Sequence, residues 1–246
     1  MTRRVMVVTG GSRGIGASVA RLAATAGYDV AVNFVRNEKA AEAVVRTVEE
    51  AGGRAAAFRA DVGDDSHVKR MFSEIDSKLG RVNVLVNNAG ILGSRRVEDM
   101  NEESLQEIFR ANVFSMYYCS REAVRRMSTK HGGRGGVIIN MSSVASRLGG
   151  LAGGSHYAAT KGAIDSFSLA LAKEVGPEGI RVNTIRPGLI ETDIHDVHGG
   201  MNEQLAKSVP LGRSGTADEV ARTVLWLASD DASYVHAAVV DVAGGR

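Results

Sequence analysis

Tyr157 and Lys161 lie four residues apart in the stretch GGSHYAATKG, residues 153–162, among residues with almost no side chain. Four residues is about one helical turn, so a helix places the phenol and the ammonium on one face. A free phenol has a pKa of about 10, too high for efficient proton exchange near neutrality. A cation beside it favours the phenolate and lowers that value. The pair therefore reads as a tuned proton donor, against the plainer alternative of two surface residues on an ordinary helix.

A second run suited to chemistry is Thr9-Gly10-Gly11-Ser12-Arg13-Gly14-Ile15-Gly16. It follows a short apolar run and opens an Ala-rich one. Glycines at such a turn let the backbone approach a diphosphate, and the following helix offers N–H groups and partial positive charge. The alternative is a glycine turn that serves backbone geometry alone. A ribose 2′-hydroxyl is usually met by an Asp or Glu about 20 residues further on. Here that region reads Val32-Asn33-Phe34-Val35-Arg36-Asn37, with no acid. A carboxylate would repel a 2′-phosphate, whereas the Arg36 guanidinium can pair with it in a fork. Arg13, within the loop, adds a second positive charge. Both features favour NADP(H) over NAD(H), the alternative for Arg36 being a solvated surface charge.

The elements that must position these groups alternate along the chain. Strand-like runs are expected at Val5–Thr9, Val30–Phe34, Ala55–Ala60, Val82–Val86, Gly136–Met141, Arg181–Ile185 and Ala237–Val242. Helices are expected at Ile15–Ala26, Glu38–Glu50, Ser66–Leu79, about 102–111 and 113–129, His156–Val175 and near 217–229. Strands apolar on both faces, alternating with amphipathic helices, indicate a parallel sheet covered on both sides. Right-handed crossovers make it a doubly wound α/β Rossmann sheet of seven parallel strands. No linker or repeat interrupts the pattern, so residues 1–246 are expected to form a single NAD(P)-binding domain. The loop-rich stretch 190–215 is too long for a plain crossover and is expected to be a substrate lid.

Composition excludes several classes. The 246 residues carry a formal net charge of +2, with Lys and Arg spread along the chain, which gives nucleic-acid or membrane binding no support. Cys119 is the one cysteine, so no internal disulfide forms and a reducing, cytoplasmic compartment is the simplest expectation. Its apolar surroundings make it a packing residue. No segment approaches 18 unbroken apolar residues. His195 and His198 sit in DIHDVH with two aspartates nearby, but the loop context and the lack of Cys or Glu at ligand spacing argue against a metal.

Together the motifs TGGSRGIG (9–16), Asp61-Val62, NNAG (87–90), Asn112, Ser142-Ser143, YAATK (157–161) and RPGLIET (186–192) resemble the short-chain dehydrogenase/reductase family across essentially the whole chain. The resemblance implies hydride transfer between a nicotinamide and a carbonyl or secondary alcohol. Tyr157 would be the proton donor, and Lys161 would hold the nicotinamide ribose and tune the phenol. Ser143 would hold the substrate oxygen. Ser143 lies fourteen residues before Tyr157 and Ser142 fifteen, against about thirteen in many members, so the choice between the serines stays open. Asn112 would bond a water of the proton relay, its alternative being a plain helix cap.

Cofactor contacts implied in the same way are Gly10, Ser12, Arg13, Gly14, Ile15 and Gly16 at the diphosphate, and Arg36 at the 2′-phosphate. Asp61 and Val62 would meet the adenine, while Asn88, Ala89 and Gly90 would line the ribose and nicotinamide side. Pro187, Gly188, Ile190 and Thr192 would lie at the carboxamide and diphosphate, with Asn87 bracing the sheet. Implied substrates are ketones or 3-oxoacyl groups. A sugar or polyol dehydrogenase and a non-catalytic NADP(H) sensor are the alternatives. A homo-oligomer, tetramer or dimer, follows from the same resemblance. Acyl carrier protein is a possible partner, for which Arg125, Arg126, Lys130 and Arg134 could offer a basic face.

Overall fold

Strand β1 (Arg4–Val8) sets the pattern of the whole sheet. Successive side chains alternate between faces. Val5 and Val7 enter one apolar cluster, Met6 and Val8 the other, and all four are buried. A strand buried on both faces has to be covered on both, and helices do so. The computed structural model describes residues 3–192 and 203–246.

Seven strands form one sheet in the order β3-β2-β1-β4-β5-β6-β9, every neighbouring pair parallel. They are β1, β2 (Tyr28–Phe34), β3 (Ala55–Arg59), β4 (Val82–Asn87), β5 (Gly136–Met141), β6 (Ile180–Pro187) and β9 (Val239–Val242). The first face is covered by α1 (Gly14–Thr25), α2 (Glu38–Glu50) and α9 (Ala217–Ala228), through Val19, Ala23, Val48, Val224 and Leu227. The second is covered by α3 (Asp65–Lys78), α5 (Ser115–Met127) and α7 (Ser155–Val175), through Phe72, Ile75, Ala123, Leu171 and Val175. Cys119 belongs to this second cluster and is fully buried, which pushes its thiol well above the ordinary range.

The strand order reverses at β1. The chain winds from β1 to β3 in one direction and from β4 to β9 in the other. That leaves a crevice at the carboxyl ends of β1 and β4, where ligands of open α/β sheets bind. Every loop flagged for chemistry leaves the sheet on this edge.

The elements differ most from the sequence reading in three places. The expected break between helices at residue 112 is a continuous helical path. α4 (Glu102–Phe109) runs through a π-helical turn at Arg110–Phe114 into α5. The last strand starts at Val239 rather than Ala237, because Ala237 holds a left-handed φ of 56°, which an L-residue in a strand does not adopt. The 190–215 stretch carries β7 (Ile190–Glu191), α8 (Glu203–Lys207) and β8 (Gly215–Thr216), with β7 and β8 paired in parallel. His195 and His198 lie outside the described residues. No described helix is long and apolar enough to cross a membrane.

Candidate active site

The glycine loop is built by its neighbours as much as by its own residues. Gly10 and Gly14 have φ of 61° and 53°, where a side chain is strained. A Cβ on Gly16 would lie 2.4 Å from the Gly10 carbonyl oxygen and 2.6 Å from Asn88 Nδ2, so only glycine fits. The Asn88 amide donates to the carbonyls of Thr9 (2.9 Å) and Gly10 (3.1 Å). Thr9 Oγ1 accepts from the N–H groups of Asn88 and Ala89, both at 3.0 Å. From the other side, Asn33 Oδ1 accepts from Gly10 N–H at 3.1 Å, while its Nδ2 donates to the Ala60 carbonyl at 2.9 Å. These bonds tie the loop to the ends of β2, β3 and β4. The N-terminus of α1 has no side-chain cap and no acid in its first turn. Its first N–H groups lack intrahelical partners, and the helix end favours an anion. Ile15 is partly buried at this turn, and Thr192 packs against Gly14, its Cγ2 3.4 Å from where a Cβ would sit. The residues present therefore fit a dinucleotide diphosphate.

Ser12 is partly exposed and Arg13 exposed beside it. Arg36 is exposed just past β2 and makes no hydrogen bond or ion pair among the described residues. Val62 is buried, and Asp61 is tied to the Arg110 guanidinium and to Gly63 N–H at 3.0 Å. Pro187 ends β6, and the Gly188 N–H donates to the Val242 carbonyl at 2.9 Å. A Cβ on Gly188 would lie 2.7 Å from Ala243 Cα. Ile190 is buried in β7.

The residues expected to handle the proton gather at the end of β5 and the start of α7. Along α7 the buried stripe is polar at its start, with Thr160, Lys161 and Asp165, and apolar at its end, with Leu171, Ala172 and Val175. One face thus serves the site first and the core afterwards. Lys161 is buried, and its Nζ donates to the Met141 carbonyl at 2.9 Å and lies 5.6 Å from the Tyr157 ring centroid. A Cβ on Gly90 would come within 3.7 Å of Nζ. Burial lowers the Lys161 pKa to about 8, and the Asp165 carboxylate opposes that fall.

The two serines separate cleanly. Ser142 Oγ is buried and donates to the Lys161 carbonyl at 3.1 Å. Ser143 hydrogen-bonds the Tyr157 phenol and accepts from Ala145 N–H at 3.1 Å. Between Ser143 and Tyr157 the chain forms α6 (Ala145–Leu148) and the left-handed glycine turns at Gly149, Gly150 and Gly153.

The Tyr157 pKa departs from the sequence expectation. It is raised, because burial disfavours the phenolate more strongly than the Ser143 bond favours it. Lys161 does not produce the expected fall, since its own charge is disfavoured by the same burial.

Asn112 is buried within the π-helical turn and is not a helix cap. Its Oδ1 accepts from Ile91 N–H at 2.8 Å, and its Nδ2 donates to the Ile91 carbonyl and to Thr160 Oγ1, both at 3.0 Å. Thr160, absent from the sequence reading, donates in turn to the Tyr157 carbonyl at 2.7 Å. A polar threonine one position before Lys161 was its only signal. Asn87 braces the sheet, donating to Asn140 Oδ1 at 2.8 Å and Ser120 Oγ at 3.0 Å. His156 is buried against the segment after β4, where a Cβ on Gly93 would meet its Nε2. No group of three or more potential metal ligands occurs among the described residues.

The basic face at Arg125–Arg134 is largely matched by acids. Arg125 pairs with Glu122 at 3.1 Å, Arg126 with Asp76 at 2.7 Å and Glu122 at 2.9 Å, and Lys130 with Glu178 at 2.6 Å. The cationic cluster read from the sequence is therefore a mixed-charge surface.

A glycine loop at the switch point, with a serine, a phenol and a buried lysine at the same edge of the sheet, is the arrangement expected of a nicotinamide-linked oxidoreductase site. A family model described as enoyl-(acyl carrier protein) reductase matches residues 10–246. An uncharacterized oxidoreductase of Escherichia coli (strain K12) is 46% identical over 245 residues, covering 98% of this chain and 99% of that protein. A 3-oxoacyl-[acyl-carrier-protein] reductase of Chlamydia pneumoniae is 39% identical, covering 98% and 95%. A solved Serratia marcescens short-chain dehydrogenase/reductase mutant superposes with a TM-score of 0.91 at 33% identity, covering 98% and 97%. The chain belongs to the short-chain dehydrogenase/reductase family. It is an oxidoreductase whose cofactor is a nicotinamide dinucleotide.

Proposed function

We propose that this protein is an NADP(H)-dependent carbonyl reductase, acting on a ketone or 3-oxoacyl substrate. The observation that carries the reading is the contact of Ser143 with the Tyr157 phenol, beside Lys161 and at the sheet edge that holds the glycine loop. A bound dinucleotide supplies the hydride. The protein supplies the rest. Ser143 fixes the substrate oxygen, and Tyr157 gives it a proton. Because burial raises its pKa, the phenol is fully protonated near neutrality, which suits reduction. Lys161 holds the ribose, and its charge stabilises the phenolate left after transfer. Asn112, through the carbonyl of Ile91 and Thr160, orders the entry of α7 and supports the proton relay.

The NADP(H) preference rests on Arg36, which is exposed and uncommitted just past β2, and on Arg13. Asn33 fills the end of β2 with an amide whose bonds serve the loop, leaving no carboxylate to repel a 2′-phosphate. The identity to a 3-oxoacyl reductase supports the substrate class. The single cysteine supports a cytoplasmic location, and the family resemblance supports a homo-oligomer. The test is NADPH and NADH consumption over ketones, 3-oxoacyl thioesters free and carrier-bound, and sugars. Expected is NADPH-dependent reduction that Tyr157→Phe abolishes, with Arg36→Asp shifting preference toward NADH. Retained turnover in Tyr157→Phe would refute the mechanism. An unshifted preference in Arg36→Asp would refute the cofactor assignment alone.

A further inference from the structure

Lys161 and Ser143 stand at the two ends of a chain of charges that neither role requires. Asp165, one turn beyond Lys161 on the same buried face of α7, accepts from Arg186 Nε at 3.1 Å and Nη2 at 2.8 Å, both on Oδ2. Its other oxygen, Oδ1, is buried without a hydrogen-bond partner. Arg186, on β6, also faces Asp241 of β9 at 3.7 Å. Asp241 pairs with Arg147 at 3.1 Å, and Arg147 donates to the Arg246 carbonyl at 2.7 Å. Arg147 sits on α6, whose Ala145 N–H donates to Ser143 Oγ. The chain therefore runs from α7 across two strands to the helix that holds the serine.

A lone buried carboxylate is costly and is retained only where it is paired. Asp165 is paired through one oxygen only. The described groups facing Lys161 are few. On α7 they are Tyr157 and Asp165. From β5 come the Met141 carbonyl and Ser142, and from beyond β4 come Gly90 and the Asn112 amide. Asp165 is thus the one anion available to Lys161 among the described residues.

We propose that Asp165 is a positioning residue that keeps Lys161 cationic at neutral pH and, through Arg186, Asp241 and Arg147, locks α7 and α6 in register around the reacting atoms. The proposal rests on the catalytic role given to Lys161 above. Burial alone works against the lysine charge, and Asp165 is the counterweight.

The test reads Lys161 directly in the cofactor-free protein. A lysine 13Cε NMR titration is recorded, the Lys161 signal identified by its loss in Lys161→Arg. The wild-type midpoint is expected near the value of about 8 that burial sets. In Asp165→Asn and Asp165→Ser it should fall by about one pH unit, the order of effect that a nearby opposite charge exerts. Asp165→Glu should restore it. The alkaline limb of the pH profile of carbonyl reduction should move with it. A midpoint unmoved in either neutral variant that folds would overturn the proposal. If the midpoint moves but the wild type reduces no carbonyl, the proposed function fails while the coupling of Asp165 to Lys161 stands. If Tyr157→Phe is inactive as expected and the midpoint stays, the coupling fails alone.

Discussion

Ser142 and Ser143 are neighbours in sequence and opposites in use. Ser142 donates to the Lys161 carbonyl at 3.1 Å and is buried, while Ser143 meets the Tyr157 phenol. Adjacent residues at a strand end point to opposite sides, so a single-residue choice decides which hydroxyl faces the site. Ser143→Ala should lower kcat by about 10²–10³, the usual cost of deleting one donor to a developing oxyanion. Ser142→Ala should leave kcat within about threefold and lower stability by about 1 kcal/mol, the net worth of a typical hydrogen bond. Steady-state kinetics and thermal unfolding of both variants distinguish the two roles.

Lys161 is expected to destabilise the protein that needs it. Its pKa falls from 10.5 in the unfolded chain to about 8 in the fold. Below pH 8 the lysine is charged in both states, and burying the charge costs about 3–4 kcal/mol, at about 1.4 kcal/mol per pH unit of difference. Between pH 8 and 10.5 the unfolded chain binds the extra proton, so stability rises with pH and the penalty fades. Lys161→Met should therefore be inactive yet more stable than the wild type at pH 7, with the gain shrinking as pH passes 8. Denaturant unfolding at pH 7 and pH 9.5 measures it. Equal gains at both values would show that packing, not charge, is the cause.

The opposite pH responses of the two reaction directions test the phenol. Burial raises the Tyr157 pKa, so its proton is present throughout the neutral range. Reduction needs that proton and should hold steady from about pH 6 until Lys161 begins to discharge near pH 8. Alcohol oxidation needs the phenolate and should climb with pH across the same range. A reduction rate that rose between pH 6 and 8 would contradict this assignment.

Much of the site was legible from residue types at fixed spacing. The short runs apolar on both faces, alternating with amphipathic segments, placed the sheet and helices within a few residues, because a strand buried on both faces has few alternatives. The glycine loop and the Tyr157–Lys161 turn are local patterns, readable within eight residues. What stayed hidden depends on distant partners. The bond of Asn33 to Gly10 spans 23 residues, that of Arg147 to Asp241 spans 94, and nothing local announces either. The π-helical turn at Asn112 was hidden for another reason. Its sequence is ordinary helix, and the side-chain bonds to Ile91 and Thr160 accompany the wider turn. The phenol pKa was misjudged in sign because desolvation is a property of the folded surroundings.

Gly14 and Gly16 separate backbone strain from steric exclusion. At Gly14 an added Cβ meets only Thr192 at ordinary contact distance, but φ is +53°. At Gly16 the Cβ would fall 2.4 Å from a backbone oxygen. Gly14→Ala should cost about 1 kcal/mol of stability and weaken dinucleotide binding modestly. Gly16→Ala must displace the Gly10 carbonyl and the Asn88 amide together, and should abolish NADPH binding with a loss of about 1–3 kcal/mol. NADPH fluorescence titration and thermal unfolding compare the two. Equal binding losses would remove the steric argument.

Asn33 gives the sharpest test of why this chain carries no acid at the carboxyl end of β2. Its Oδ1 accepts from Gly10 N–H, and its Nδ2 faces the carbonyls of Phe58 at 3.3 Å and Ala60 at 2.9 Å. Asn33→Asp keeps the shape and the first bond, but turns a donor into an acceptor against two carbonyl oxygens in a fully buried position. The carboxyl must protonate to recover even one of those bonds. Its pKa should rise above the ordinary aspartate range. Stability should then fall with rising pH, because the folded state holds a proton that the unfolded state has released. The loss at pH 7 should reach about 2–4 kcal/mol and shrink below pH 4, where both states are protonated. Urea unfolding of Asn33→Asp and wild type at pH 4 and pH 7 reads this directly. A stability difference independent of pH would mean that the amide donor is not what ties β2 to β3 beneath the glycine loop.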